Sequence, residues 1–173
     1  KESKVVLFVG KFERKKNPLS LIEVAKKINH SNVYFLFVGN GDLEEEMKSK
    51  SVDNKNILFL SFQNQSKMPL VYRLGDIYVL PSQGPGETWG LAVNEAMACG
   101  KPVLISDRVG CGKDLVQNSK NGYIFKSNNL IDFTKKLEYI LGADIKKMGG
   151  ASLNIIGKWS IEEAVKKLES VLL

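Results

Sequence analysis

The feature that most limits the fold of this chain is the regular return of a short apolar run followed by a segment of helical spacing. Val5-Val6-Leu7-Phe8-Val9 is apolar at every position, as a strand covered on both faces should be. Beyond Pro18, apolar residues fall at Leu19, Ile22, Ala25 and Ile28 with Lys and Glu between them, the period of an amphipathic helix. Further strands are read at Val33–Val38, Ile57–Leu60, Ile77–Leu80, 103–105 and 123–125. Helices are read at 43–50 with Asp42 as cap, at 67–74, at 90–99 and, after Ser160, at 161–172. Such alternation with short links predicts a Rossmann-like α/β fold: a doubly wound parallel sheet of about six strands, flanked by helices, as one unit over 1–173. Ligands of such sheets bind beyond the carboxyl ends of the strands, at the switch point of the strand order.

Composition excludes several classes. His30 is the sole histidine, read as an exposed turn residue, and Cys99 and Cys111 are the sole cysteines. A zinc site and a Ser-His-Asp triad are therefore not expected. Two cysteines build no disulfide framework, and Lys1-Glu2-Ser3-Lys4 is neither a signal nor a transit peptide. The expected location is cytoplasmic. The net charge of +6 comes from 22 lysines and three arginines, with most lysines in helical doublets such as Lys26-Lys27, so nucleic acid is not an expected partner.

Four loops leave the carboxyl ends of strands. The first runs from Gly10-Lys11 to Lys16; glycine allows a tight turn, and both lysines can reach a phosphate. The second, Gly39-x-Gly41, is by itself weak evidence for phosphate binding and reads equally as a tight turn. The third, Ser82-Gln83-Gly84-Pro85-Gly86-Glu87-Thr88-Trp89-Gly90, opens a helix, so backbone amides and the helix dipole favour an anion at its start. Glu87 and Glu95 lie eight residues apart, too far for a close dyad, and fit two acids flanking one elongated ligand whose hydroxyls they accept from. Trp89 suits either the core or a pocket wall. The fourth loop, 107–114, carries Gly110-Cys111-Gly112, read as close approach to a ligand or as turn geometry.

Glu87-x7-Glu95 followed by Ala96-Met97-Ala98-Cys99-Gly100-Lys101-Pro102-Val103 resembles the donor-site signature of group 1 glycosyltransferases (family GT4, GT-B fold). Val9-Gly10-Lys11-Phe12 with Lys16, Val38-Gly39-x-Gly41, Asp76 through Pro81-Ser82, Asp114-Leu115-Val116 and Asn121-Gly122 extend the resemblance along almost the whole chain. It implies the C-terminal half of a retaining, metal-independent hexosyl- or glycosyltransferase of glycan or polysaccharide biosynthesis, with no cofactor and a UDP- or GDP-sugar as donor.

Carried over residue by residue, the resemblance places the diphosphate on Lys11 and Lys16, beside Gly10 and Gly39. Glu95 would hold the ribose, Glu87 the donor sugar as catalytic residue, the backbone of Trp89, Gly90 and Leu91 the sugar and phosphate, and Gln63 the base. Lys11 stands where Arg is commoner, Thr88-Trp89 where Gly-Phe is, and Asn17 where Gly is. The resemblance also implies an N-terminal domain that holds the acceptor and makes any peripheral membrane contact; without it this chain is expected to transfer nothing. A non-catalytic sugar-nucleotide-binding module would need the same loops. A dinucleotide-dependent oxidoreductase is disfavoured, because Gly10-Lys11-Phe12-Glu13 is not G-x-G-x-x-G and no acid closes the second strand.

Overall fold

The computed structural model describes residues 3–28, 30–84 and 87–172, apart from the side chains of Ala164 and Leu172. Pro85 and Gly86 of the third loop thus lie outside the described residues. The strands are β1 Lys4–Val9, β2 Val33–Val38, β3 Ile57–Leu60, β4 Ile77–Leu80, β5 Val103–Ser106 and β6 Gly122–Phe125. The helices are α1 Pro18–Lys27, α2 Glu44–Ser51, α3 Met68–Leu74, α4 Leu91–Ala98, α5 Gly112–Leu115, α6 Leu130–Gly142, α7 Ile145–Ile156 and α8 Ile161–Leu172.

All six strands pair in parallel in the order β3-β2-β1-β4-β5-β6. The order reverses between β1 and β4, so the loops after these two strands flank the switch point. The β1–β4 register is pinned at its start. The Val5 amide donates to Asp76 Oδ2 at 2.8 Å, and the Asp76 amide donates back to the Val5 carbonyl at 2.8 Å.

Continuous burial explains the unbroken apolar runs: every residue of β4 and β5 is buried, as are Val6, Leu7 and Phe8 of β1. Leu21, Ile22, Val24 and Ala25 of α1 join the same core. Under the first two crossovers, Phe8, Phe12, Phe37 and Phe59 form an aromatic cluster with centroids 5.5 to 6.4 Å apart. Ser160 caps α8 as expected, its hydroxyl accepting from the Glu163 amide at 3.2 Å.

Asp42 does not cap α2. The helix begins at Glu44, and no side chain caps its first amides. The reason is tertiary: the Leu43 amide donates instead to the Phe12 carbonyl at 3.0 Å, and the Phe12 amide to the Asn40 carbonyl at 2.8 Å. The 39–43 turn is therefore tied to the loop after β1. Along α8, Ile161, Val165, Leu168 and Val171 are all exposed, a single apolar stripe at helical spacing with nothing packed on it among the described residues. No helix among the described residues is long and apolar enough to cross a membrane.

Candidate functional site

The site builds from the loop after β1. Residues Arg14–Lys16 form a turn of 3-10 helix that ends at Asn17 in the left-handed region. This turn aims Lys16 across the switch point at the loop after β4. Lys16 Nζ lies 2.5 Å from Glu87 Oε2, with Glu87 only 8% exposed and the Lys16 side chain 20%. The buried Ser82 hydroxyl donates to the same carboxylate oxygen at 2.9 Å, and the Ser106 hydroxyl donates to the Ser82 carbonyl. A carboxylate so deep is tolerable because a cation and a hydroxyl both meet it.

The 87–91 stretch is held from the β5–α5 loop. The Gly110 amide donates to the Glu87 carbonyl at 3.2 Å and the Cys111 amide to the Trp89 carbonyl at 3.0 Å. A Cβ on Gly110 would stand 1.8 Å from the Thr88 carbonyl oxygen. This glycine therefore serves close contact between two loops. Trp89 is half-buried: its Nε1 donates to Asn94 Oδ1 at 2.9 Å, and its ring lies 5.5 Å from that of Trp159. Gly90 caps α4 with φ 97, and Leu91 is exposed at the first turn.

Glu95, one turn further into α4, accepts from the Tyr72 hydroxyl at 2.6 Å and from Gln65 Nε2 at 3.2 Å. Burial, with Tyr78 and the Glu95 bond adding to it, pushes the Tyr72 hydroxyl well above the ordinary tyrosine range, so it stays a donor. Tyr78 is wholly buried and has no hydrogen-bond partner for its hydroxyl among the described residues. Its own pKa is raised by burial first, then by the nearby charges of Glu87 and Glu95.

On the other side of the loop after β1 lies a cavity of about 200 Å³, lined by Gly10, Lys11, Gly39, Asn40, Phe62 and Gln63 among others. A Cβ at Gly39 would sit 2.0 Å from the Gly10 carbonyl oxygen, so this glycine lets the first two loops touch. Lys11 is exposed and forms no ion pair among the described residues. Gln63 donates to the Ser61 carbonyl at 3.0 Å.

The structure thus joins Lys16 to Glu87, gathers Gly10, Lys11, Gly39 and Gln63 around one cavity, and gives Glu87 and Glu95 separate partners. Among the described residues no three His, Cys, Asp or Glu side chains gather as metal ligands. Sequence reasoning assigned no role to Ser82, Ser106, Tyr72, Gln65 or Trp159. Ser82 carried a signal as part of Pro81-Ser82. Tyr72 meets Glu95 across 23 residues, and no local pattern announces that.

A family model described as "Glycosyl transferases group 1" matches residues 1–148. The chain belongs to the group 1 glycosyl transferases. A UDP-Gal:alpha-D-GlcNAc-diphosphoundecaprenol alpha-1,3-galactosyltransferase of Escherichia coli is 29% identical, covering 99% of this chain and 46% of that protein. Spore coat protein SA of Bacillus subtilis is 28% identical over 93% of this chain and 44% of its own length. The chain therefore spans less than half the length of these two curated relatives.

Among solved group 1 relatives and neighbours, TarM of S. aureus, crystallised with UDP among its ligands, superposes with a TM-score of 0.82 at 26% identity, over 97% of this chain and 35% of that one. The C-terminal domain of a group 1 glycosyl transferase from Francisella tularensis superposes with a TM-score of 0.81 at 20% identity, over 92% and 88% of the two chains. The fold is that of the GT-B C-terminal domain, as its resemblance implied.

Proposed function

We propose that residues 1–173 form one donor-binding domain of a retaining glycosyltransferase of the GT4 branch. In this reading it binds a nucleoside-diphosphate sugar for transfer to an acceptor held by a second domain. The observation that carries the reading is the Lys16–Glu87–Ser82 arrangement at the switch point, beside the Lys11–Gln63 cavity. The base enters that cavity near Gln63 and Phe62, and the diphosphate spans Gly10, Gly39, Lys11 and Lys16. Glu95, oriented by Tyr72 and Gln65, accepts from the ribose hydroxyls. Glu87 accepts from the donor sugar, and the Trp89–Leu91 backbone borders sugar and phosphate.

Charge grows on the diphosphate as its bond to the anomeric carbon breaks. In this scheme Lys11, Lys16 and the start of α4 stabilise it, without a metal ion. An incoming phosphate competes with Glu87 for Lys16. Glu87 keeps the Ser82 hydroxyl and gains freedom to accept from the sugar. The exposed apolar stripe of α8 supports a second domain as its partner, and this chain alone is expected to transfer nothing.

Calorimetric titration with UDP, GDP and NAD tests the reading. UDP comes first, because the matched E. coli protein is a UDP-Gal galactosyltransferase and TarM was crystallised with UDP. Saturable binding of one nucleoside diphosphate, weakened by Glu95→Ala and by Lys16→Ala, is expected. NAD binding that survives both substitutions would sink the assignment.

A further inference from the structure

A second recess lies beside the switch point, on the face of the sheet shared by α1 and α6. Its volume is about 280 Å³, near the lower end for small-molecule sites and the share of roughly nine waters. Asn17, Ser20 and Glu23 line one wall, Asn128 and Asn129 the other, with Gln83 at the top and Phe125, Leu130 and Phe133 below. The two phenylalanine rings stack with centroids 4.0 Å apart and are buried, so the base of the recess is rigid and apolar.

Four of the six polar lining residues carry side-chain amides. No lysine or arginine takes part, and the one acid, Glu23, already faces Lys26 at 3.2 Å. An anion would meet no cation here, and a wholly apolar ligand would leave the amides unpaired. Several groups are only partly used. Ser20 donates to the Asn17 carbonyl, leaving its oxygen as acceptor; Asn129 Oδ1 accepts from the Asp132 amide, leaving its NH₂; Gln83 Nε2 donates to the Arg14 carbonyl, leaving its oxygen. The Asn17 and Asn128 side chains form no hydrogen bond among the described residues, and Asn17 does not bond the helix it precedes.

Backbone geometry adds a second, independent indication. Asn17 and Asn128 adopt φ 52 and φ 60, and they are two of the three described non-glycine residues at positive φ. Glycine would occupy either position at lower cost. Asparagine at both, from opposite walls of one recess, supplies donors and acceptors that glycine lacks.

We infer that this recess binds one uncharged sugar ring, its hydroxyls paired with the amide groups and its C–H face on the apolar base. Asn17 follows Lys16 and Gln83 follows Ser82, so the ring would lie next to the Lys16–Glu87 pair, where it serves as the unit of the acceptor that reaches this domain while the second domain holds the rest. That acceptor role rests on the proposed function; binding of the ring does not.

The test is amide-resolved NMR titration of the 173-residue chain with glucose, galactose and N-acetylglucosamine, then with UDP. At least one sugar should give saturable shifts at residues 17, 20, 83 and 128. Asn17→Gly with Asn128→Gly keeps the backbone conformation, removes both side chains and should weaken sugar binding at least about tenfold, with UDP binding unchanged. Gln83→Ala gives a second reading should the double variant fail to fold. No saturable shift with any sugar, shifts confined to the Lys11–Gln63 cavity, or unchanged binding by a folded double variant would overturn the inference. Sugar binding at the recess without UDP binding would uphold it while removing UDP as the donor nucleotide.

Discussion

Removing the Lys16 charge separates the two things this residue is asked to do. In the folded chain its ammonium meets a carboxylate 2.5 Å away that is 8% exposed. Taking one partner from a fully buried pair costs about 3–5 kcal/mol. Here Lys16 retains some exposure and Ser82 still donates to Glu87. Lys16→Met should therefore cost about 2 kcal/mol, a fall in melting temperature of about 4–8 °C for a chain of this size. Glu87→Gln keeps a hydrogen-bonding oxygen for Ser82 and lets the lysine turn toward water, so its cost should be nearer about 1 kcal/mol. The double variant should recover at least about 1 kcal/mol of the summed losses, because no buried charge is left unpaired.

Nucleotide affinity should follow a different pattern. A charge-assisted phosphate contact is worth about 1.5–3 kcal/mol, so Lys16→Met should weaken UDP about 10- to 100-fold, alone or with Glu87→Gln. Glu87→Gln alone should bind UDP as well as or better than the parent chain, since the competing carboxylate charge is removed. Thermal melts and calorimetry on the four proteins measure both effects. UDP binding by the double variant equal to the parent's would refute the reasoning and leave Lys16 as no more than the partner of Glu87.

Three further outcomes are expected. Gly39→Ala forces a Cβ to within 2.0 Å of the Gly10 carbonyl and should cost more than about 2 kcal/mol by displacing the loop after β1; an unchanged melting temperature would refute the close approach. Burial pushes the Cys111 thiol up to about 12, with Glu87 and Asp114 adding to it against its own backbone hydrogen bond, so a thiol reagent at pH 8 should modify the half-buried Cys99 long before Cys111. By the same shift the unfolded chain gives up its Cys111 proton first, so this contribution to stability should shrink as pH rises from about 9 to about 12; equal native reaction rates for both thiols would contradict the burial. Trp89 and Trp159 are the chain's two tryptophans and touch. Trp159→Ala should shift Trp89 emission and cost about 0.5–1.5 kcal/mol beyond its area burial, with Trp159→Phe recovering most of it; a Trp89 spectrum indifferent to Trp159→Ala would dismiss the contact.

The strands were legible because each is a short apolar run, which full cover demands of the central strands β4 and β5, where every residue is buried; β2, β3 and β4 begin and end where composition places them. The charge types at the strand ends were legible too, since Gly10-Lys11, Lys16 and Glu87 occupy loops whatever the packing, and Glu95 lies one turn into the helix that follows. Asp42 misled because a capping residue is chosen by local competition, and here the loop after β1 takes the Leu43 amide first. Gly110 read equally well as a ligand-facing glycine until the Thr88 carbonyl was found against it.

Sequence alone determined an alternating α/β chain with cations and acids along one sheet edge, because periodicity and loop chemistry are local properties. Tertiary structure decided which of those charges meet. Placing β4 beside β1 brings Lys16 to Glu87 across 71 residues, and packing α3 near α4 brings Tyr72 to Glu95 across 23. Such pairings depend on where the crossovers lay the strands down, and no stretch of neighbouring residues encodes that placement.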